Sequence, residues 1–324
     1  MAVATIPTTA AKPAATTGDG RFPFPLPFGW FSLGRLDELS TEPVFRAEAM
    51  GLHLAIWRDG DAFHVFDAYC PHLGAHFGVG GRVEDGCLVC PFHEWTFAPD
   101  GTNVDIPYAD RPNRKARVRT YPTVVRNRHL MFWYHPDPTV EPSWSIPEVV
   151  GDDAVECLRF TKRVRSVWQE LAENSVDMAH FKSVHGMSQA GRMGEMTIDG
   201  PIREVVSAQS FQTSKGEFEG GIVSTSYGPG LGVVVFELMT KVTLVTGNTP
   251  VDDDEIEVRF TMYHAPGDEL AGKIGGAFGA EVERQFDQDI PIWEAKRYVP
   301  SPALAPSEKP VTEFRRWATQ FYVV

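Results

Sequence analysis

The stretch CPHLGAHFGVGGRVEDGCLVCPFHEW, from Cys70 to Trp95, limits the possible folds of this chain more than any other feature. It carries three of the four cysteines and three of the ten histidines in 324 residues. Four of these residues form two short pairs, Cys70-x-His72 and Cys90-x-x-His93, with seventeen residues between the pairs. Each pair is short enough to grip a metal from one loop, so the fold must bring two such loops together.

Two cysteines and two histidines suit either a zinc ion or a Rieske-type [2Fe–2S] cluster. In a Rieske cluster both cysteines bind one iron and both histidines bind the other, so each loop must supply one residue of each type. This sequence does so, and we therefore predict a Rieske cluster, with zinc as the alternative. Cys87 alternates with Val89 on a predicted strand and is interpreted as a buried core thiol. His76 is interpreted as a surface residue or a neighbour of the cluster.

A second group of metal-ligating residues lies in LAENSVDMAHFKSVHG, from Leu171 to Gly186. His180 and His185 are five residues apart, which places them about 140° apart on a regular helix. A helix predicted from Trp168 to Val184 must therefore distort or end between them. Two histidines and one carboxylate make the facial triad of non-haem Fe(II) oxygenases. The alternative is two unrelated histidines at a helix end.

The carboxylate of such a triad has three candidates in QFDQDIPIWEAKRY, which are Asp287, Asp289 and Glu294. A helical repeat places Asp289 on the same face as Val282 and Trp293. Asp287 points away from that face and reads as a solvated surface charge. Asp289 is therefore the predicted third ligand.

The distribution of strand and helix signals predicts an α+β chain of two domains. Residues up to about 147 alternate between strand and turn patterns, and four prolines in Pro136–Glu148 indicate a linker. The later residues predict an antiparallel sheet with helices packed on it. The predicted units are a disordered tail over 1–20, a β domain over 21–147 and a catalytic domain over 148–324. The predicted long elements of the last unit are strands near Arg159–Val167, Ile202–Gln212, Gly221–Leu238 and Ile256–His264, and a glycine-rich helix over Asp268–Tyr298.

Composition excludes several classes of partner. The net charge of −13 argues against nucleic acid and anionic membranes, which both require a basic surface. No apolar run is long enough to span a bilayer, and the start of the chain lacks the pattern of a secretory signal. Four cysteines with three clustered do not form a disulfide framework, so a reducing cytoplasm is expected. No G-x-G-x-x-G follows a predicted strand, so the chain is not expected to bind NAD(P)H itself.

The two groups, in this order, resemble the Rieske non-haem iron oxygenases over nearly the whole chain. Within that family the resemblance is greatest to the steroid branch, the oxygenase components of 3-ketosteroid 9α-hydroxylases and the cholesterol 7-desaturases. The stretches that carry it are CPHLGAHFGVGGRV, CPFHEWTF, IPYA, ENSVDMAHF, QFDQDIPIW and FRRWATQFYV. The resemblance implies an N-terminal Rieske domain followed by a helix-grip catalytic domain that holds a mononuclear iron.

The resemblance also assigns site residues. His180, His185 and Asp289 match the iron ligands of the family, and Asp177 matches the acid that bridges the two metal sites. Asn174, in the same segment, is predicted to take part in catalysis with Asp177. Two departures from the family pattern stand out. Glu94 replaces a usual glycine after the second Rieske histidine, and Pro291 follows Asp289 within the predicted helix.

The function implied is that of a terminal oxygenase, which uses dioxygen and electrons from a separate ferredoxin or flavin reductase. It would hydroxylate or desaturate an apolar steroid or sterol, in a homotrimer whose electrons cross between subunits. Another apolar or aromatic substrate, including one that is demethylated, is an alternative. So is an electron-transfer Rieske protein with a lipid-binding domain. Met187, Met193 and Met196 are candidates for the wall of an apolar pocket, and the glycines of the last helix for space around a ligand.

Overall fold

The computed structural model of the chain describes residues 20–187, 191–213, 216–237 and 239–323. The predicted tail therefore lies outside the described residues, except for Gly20. The first part of the chain consists of strands, as predicted. These are β1 (Gly29–Arg35), β2 (Val44–Ala49), β3 (Leu52–Asp59), β4 (Ala62–Asp67), β5 (Arg82–Glu84), β6 (Cys87–Val89), β7 (Thr96–Phe97), β8 (Asn103–Asp105), β9 (Thr120–Tyr121), β10 (Thr123–Arg126) and β11 (His129–Tyr134).

These strands form three small sheets, ordered β1-β11-β10, β2-β3-β4-β9 and β5-β6-β7-β8. The loop that carries Cys70 and His72 follows β4, and the loop that carries Cys90 and His93 follows β6. Trp57, Phe66 and Phe97 are fully enclosed in the core that lies behind both loops. The sheets therefore bring the two ligand pairs to one end of this part of the molecule.

The second part of the chain is one antiparallel sheet of seven strands with helices packed on it, which confirms the α+β prediction. The order across the sheet is β12-β18-β17-β16-β15-β14-β13. Its elements are β12 (Val155–Val164), α1 (Trp168–Glu173), α2 (His180–Ser183), β13 (Arg192–Asp199), β14 (Ile202–Thr213), β15 (Gly216–Tyr227), β16 (Leu231–Glu237), β17 (Lys241–Pro250), β18 (Ile256–His264), α3 (Glu269–Ala295) and α4 (Lys309–Ala318).

Two predicted elements differ from the structure, and the first is a strand. The single strand expected over Gly221–Leu238 is two strands, β15 and β16, because a turn at Gly228 and Pro229 reverses the chain; Leu238 itself lies outside the described residues. Gly228 has φ of +74°, a value that glycine adopts without steric cost. Strands β13 and β17 and helix α4 are not predicted by the sequence patterns.

The second predicted element that differs is the helix over Trp168–Val184. The prediction of a single helix is wrong, because α1 and α2 are separate. Ser175 donates its hydroxyl proton to the carbonyl of Ala172 (2.6 Å), and Asp177 accepts the N–H of Ala179 (3.0 Å). Such local bonds compete with the helical ladder and end it. The last helix, in contrast, runs without a break through Pro291.

The first residues of the described chain lie against the catalytic sheet and its helices. The Arg21 guanidinium donates to the carbonyls of Glu294 (2.8 Å) and Arg165 (3.1 Å) and pairs with Asp254 (3.0 Å).

Among the described residues, no helix combines the length and the apolar character needed to cross a bilayer.

Glycines set the distance between α3 and the sheet. A methyl group added at Gly275 would lie 2.9 Å from the sulfur of Cys157. One added at Gly279 would lie 2.9 Å from Cβ of Leu158 and 3.0 Å from the sulfur of Met262. These contacts are closer than van der Waals separation, so the early glycines serve close helix–sheet packing. The prediction that these glycines leave space around a ligand is therefore wrong at these two positions.

The two ligand loops have the same local shape. Gly74 donates its N–H to the carbonyl of Cys70 (2.9 Å), and Glu94 donates to the carbonyl of Cys90 (3.1 Å). Both residues are left-handed, with φ of +76° at Gly74 and +58° at Glu94. Glu94 therefore holds a conformation that costs a residue with a Cβ roughly 1 kcal/mol or more. Its carboxylate lies 3.4 Å from Arg82, and both side chains are largely exposed, so this pair contributes little.

We expect Glu94→Gly to raise the free energy of unfolding by about 1 kcal/mol, because glycine relieves the left-handed strain. Glu94→Ala, which keeps the Cβ, should give no comparable gain. Gly74→Ala should destabilise by a similar amount, since an added methyl group there meets nothing within 4 Å and only the backbone is affected. Denaturant unfolding of the three variants tests this. A Glu94→Gly protein less stable than Glu94→Ala would contradict it.

Candidate metal sites and active-site cavity

The first candidate site lies at the tips of the two ligand loops. Cys70 and Cys90 are both buried and unpaired by any disulfide. The rings of His72 and His93 lie 4.6 Å apart, and Trp95 stacks on His72 at 4.4 Å with nearly parallel planes. The sequence-predicted residues are therefore brought together, with cysteine beside cysteine and histidine beside histidine.

The two cysteines share one hydrogen bond, which with burial raises the pKa of Cys70 and favours the thiolate at Cys90. A hydrogen bond from Cys70 lowers the pKa of Cys90 to about 6, and the backbone N–H groups of Phe92 and His93 act in the same direction. The matching N–H groups of the first loop, at His72 and its neighbour, point at Cys70. A loop that surrounds sulfur with N–H donors stabilises a thiolate, which is the form that binds iron.

The spacing at this site favours a binuclear cluster over zinc. Four ligands of one tetrahedral zinc lie about 2.0–2.3 Å from the ion, and so within about 4 Å of one another. Among the described residues, the compact group of three ligand side chains that suits a single ion is His180, His185 and Asp289, and none of these four side chains belongs to it. In addition, Nδ1 of His93 is enclosed and has no hydrogen-bond partner. The site therefore fits a [2Fe–2S] cluster.

Two neighbouring residues of the first site do not join it. Cys87 lies on β6 and is half-buried, whereas the sequence pattern predicts full burial. His76 is half-buried and accepts the N–H of Gly78 at Nδ1 (3.0 Å).

The second candidate site is the group of His180, His185 and Asp289. Their ligand atoms all lie within 4.8 Å of one another, and no other group of three among the described residues is as compact. Nε2 of His185 lies 3.5 Å from Oδ2 of Asp289, and the two imidazole rings are 5.1 Å apart and nearly perpendicular. Helix α2 ends at Ser183, between the histidines, which allows both to face one point.

Each histidine is oriented through Nδ1. In His180 this atom lies 2.5 Å from the backbone carbonyl of Asp177. In His185 it lies 3.1 Å from Oε1 of Gln288. Both oxygens can only accept, so Nδ1 carries the proton and Nε2 presents its lone pair to the centre of the site. Burial lowers the pKa of both histidines, which keeps them in the neutral form that binds metals.

The carboxylate of Asp289 is buried and accepts a hydrogen bond from Nδ2 of Asn174 (3.1 Å). Burial raises the pKa of Asp289 to about 7, the bond from Asn174 opposes this shift, and the nearby Asp177 adds to it. A cation between the three side chains would supply the missing countercharge. The donor set, two neutral imidazoles and one carboxylate, therefore fits a mononuclear iron.

The other carboxylates of α3 lie elsewhere. Asp287 is exposed and pairs with Lys162 (3.0 Å), and Glu294 accepts the backbone N–H of Arg165 (3.3 Å). The helical face inferred from the sequence is thus the observed one.

Asp177, which matches the bridging acid of the family, lies in the segment between α1 and α2. It precedes α2, so it does not share a helical turn with His180. Its Oδ1 accepts the backbone N–H of Ala179 and of His180 (3.4 Å), while Oδ2 lies 3.8 Å from Nδ1 of His180. The backbone carbonyl, rather than the carboxylate, therefore orients the ligand. One carboxylate oxygen caps the helix, and the residue stays more than one-third exposed at 38%.

A cavity of about 280 Å³ opens beside the second site, between α3 and the large sheet. Its walls are mainly apolar and include Trp168, Ile222, Phe236, Phe278 and Phe286. Of the methionines, Met178 lines it. Met187, Met193 and Met196 do not, and the last two pack on the hydrophobic core instead. Neither Met178 nor Gln288 is identified from the sequence, because their roles depend on contacts across the fold.

Comparison with known proteins agrees with this arrangement. Residues 29–122 match the Rieske [2Fe-2S] domain, and residues 132–322 match the 3-ketosteroid 9alpha-hydroxylase C-terminal domain. A cholesterol 7-desaturase of Bombyx mori is 31% identical over 93% of this chain and 71% of its own length. A 3-ketosteroid-9-alpha-monooxygenase oxygenase component of Rhodococcus rhodochrous is 30% identical over 91% of this chain and 81% of its own.

Solved structures show the same fold at low identity. Dicamba monooxygenase bound to dicamba superposes with a TM-score of 0.72 at 17% identity, covering 90% of this chain and 96% of that one. NdmB of Pseudomonas putida CBB5 gives 0.71 at 17% identity, covering 92% and 89%. The chain therefore belongs to the Rieske non-haem iron oxygenases, in the group with a 3-ketosteroid 9α-hydroxylase C-terminal domain, and is an oxidoreductase with a Rieske [2Fe–2S] cluster and a mononuclear iron.

Proposed function

We propose that this chain is a terminal oxygenase component that hydroxylates or desaturates an apolar steroid or sterol. The observation that carries the proposal is the largely apolar cavity between α3 and the sheet, which opens directly onto His180, His185 and Asp289. Relatives named for steroid and sterol substrates support the same substrate class.

We assign the [2Fe–2S] cluster to Cys70, His72, Cys90 and His93. We assign the mononuclear iron to His180, His185 and Asp289. When bound, the two centres supply single-electron transfer and the activation of dioxygen. The domain division at about residue 147, with the cluster before it and the iron after it, remains part of this proposal.

The protein's own contribution is positioning. The carbonyl of Asp177 and the amide of Gln288 fix the tautomers of the two histidines. Asn174 restrains the Asp289 carboxylate by one hydrogen bond and so limits its rotation. Phe286 and Trp168 wall the cavity and exclude water from the reacting C–H bond.

The electron path is proposed to cross between subunits of a homotrimer, with electrons from a separate ferredoxin or flavin reductase. Around the cluster, Leu73, Phe92 and Tyr108 are each at least 60% exposed. Such an apolar rim is typical of a surface that another protein covers. Asp177 is 38% exposed, so its carboxylate is accessible to a histidine of a neighbouring chain. Four unpaired cysteines are compatible with the cytoplasm.

The substrate class is tested by coupled oxygen uptake. With a suitable reductase, steroid ketones and sterols are expected to stimulate oxygen consumption and to yield product with one added oxygen or two fewer hydrogens. Aromatic acids should give no coupled product, because burying a carboxylate against mainly apolar walls is costly. A His180→Ala variant provides the background uptake. Coupled turnover of an aromatic acid, with none of any steroid, would contradict the proposal and favour the alternative substrate class.

The choice of carboxylate is tested by metal content. Asp289→Ala should lower iron from three to two per chain and abolish turnover, while the Rieske signal in electron paramagnetic resonance persists. Asp287→Ala is the matched control on the same helix. It removes only an exposed pair with Lys162, worth about 1 kcal/mol or less, and should keep all three irons. Iron loss in the Asp287 variant alone would refute the assignment.

The inter-subunit path is tested through Asp177 and by mixing inactive chains. Asp177→Asn should retain both metals, because its amide oxygen can still cap α2, yet lose nearly all turnover. Cys70→Ser and His180→Ala are each expected to be inactive alone. Mixed trimers of the two should regain part of the activity, since an intact cluster can face an intact iron site. Near-normal turnover by Asp177→Asn would show that Asp177 only caps α2. If the mixed trimers recover no activity, the electron path lies within one chain.

A further inference from the structure

One row of residues makes the floor of the cavity polar. Across the large sheet Arg203 pairs with Ser226, Ser226 with Gly232, and Gly232 with Thr246. Directly paired residues of antiparallel strands project to the same face, and all four line the cavity. Gly232 has no side chain, and the Thr246 hydroxyl lies over it, since a methyl group added at Gly232 would meet Oγ1 of Thr246 at 2.5 Å.

The buried end of this row is an arginine without an acidic partner. Arg203 is only 1% exposed, and no carboxylate among the described residues forms an ion pair with it. Its Nη2 donates to Ser175 (2.8 Å) and Ser226 (3.2 Å), whereas Nε and Nη1 are enclosed without partners. Its guanidinium carbon lies 5.0 Å and 5.1 Å from the ring centres of Phe314 and Trp317. A cation that is buried and unbalanced in this way strongly polarises the groups that it does contact.

The two hydroxyl groups that accept hydrogen bonds from Arg203 differ in whether they donate their own protons to an acceptor. Ser175 donates its proton to the carbonyl of Ala172 (2.6 Å). Ser226 accepts from Arg203, and no acceptor for its own proton exists among the described residues. Ser226 is half-buried and reaches the cavity. It is therefore a donor strengthened by a neighbouring charge and aimed at the space that a substrate would fill.

We propose that Ser226, polarised by Arg203, donates a hydrogen bond to a single carbonyl oxygen of the substrate. A neutral carbonyl fits better than a carboxylate, since the enclosed Nε and Nη1 atoms of Arg203 cannot form the two parallel bonds that a carboxylate takes. The inference deepens the proposed function and rests on it for the steroid class.

The position of the row fixes which end of the substrate carries this oxygen. Ser175 directly follows Asn174, which bonds Asp289. On the other side the row continues to Phe260, whose ring lies 5.0 Å from Phe286, one helical turn before Asp289. The apolar end of the cavity lies at Phe278, eleven residues earlier and so about 16 Å away along α3. The carbonyl end would therefore lie near the iron site, with the hydrocarbon body extending away from it.

The test compares binding of a steroid ketone with that of the same steroid whose carbonyl is replaced by CH₂. Dissociation constants are measured on oxidised holoprotein by quenching of tryptophan fluorescence, since Trp168 and Trp293 line the cavity. Ser226→Ala should weaken the ketone about tenfold, as loss of a charge-assisted hydrogen bond does, and leave the hydrocarbon unchanged. Arg203→Met should reduce the same selectivity. Ser224→Ala is the matched control, because Ser224 lies two residues away on the same strand and face, lines the cavity and makes no contact with Arg203.

A second pair of ligands, decalone and decalin, separates this inference from the steroid assignment. If the protein binds decalone more tightly than decalin, loses this preference in Ser226→Ala and binds neither steroid, the carbonyl anchor is retained and the steroid class is overturned. Equal weakening of ketone and hydrocarbon by Ser226→Ala would overturn the anchor. So would unchanged binding in that variant, or failure of both ketones to bind the unmodified protein.

Discussion

The close packing of α3 on the large sheet is the contact on which the iron site depends. Gly275 and Gly279 allow the helix axis to approach β12 and β18 more closely than any larger residue would. That approach fixes the rotation of the helix, which points Asp289 and Gln288 inward and leaves Asp287 in solvent. Ligand, ligand support and cavity wall therefore come from one rigid element, as a precise metal site requires.

The segment that carries His180 and His185 must be irregular, in contrast to the regular helix α3. A continuous helix would separate His180 and His185 by roughly 140°. Ser175 and Asp177 bind nearby backbone groups instead, so the helix stops and restarts, and α2 ends before His185. The same bonds that break the helix place the Asp177 carbonyl on His180. Local polar chemistry thus creates both the break and the support of the ligand.

The sequence predicts the chemistry of the sites better than the path of the backbone. The alternation of Cys and His over Cys70–His93 is typical of a Rieske cluster and rare in other metal sites. Helical spacing alone selects Asp289 over Asp287. The α+β class also follows from strand and helix patterns. Gln288, Arg203 and Ser226 could not be identified, because each acts through partners far away in the chain. The break between α1 and α2 could not be placed either, because side-chain bonds to the backbone overcome a helix-like pattern.

A buried polar group without a hydrogen-bond partner indicates a ligand or metal site only where open space or further ligand atoms adjoin it. Nδ1 of His93 lacks a partner in a loop whose neighbouring loop brings the His72 ring to 4.6 Å, and Arg203 lacks a countercharge beside a cavity. Nε2 of His129 is equally unpaired, yet it is enclosed among arginines, and burial lowers the pKa of His129 to about 3. That histidine is simply neutral, and nothing can reach it. An orphaned polar atom therefore points to function where space or matching ligand atoms adjoin it, and to a tolerated packing cost where they do not.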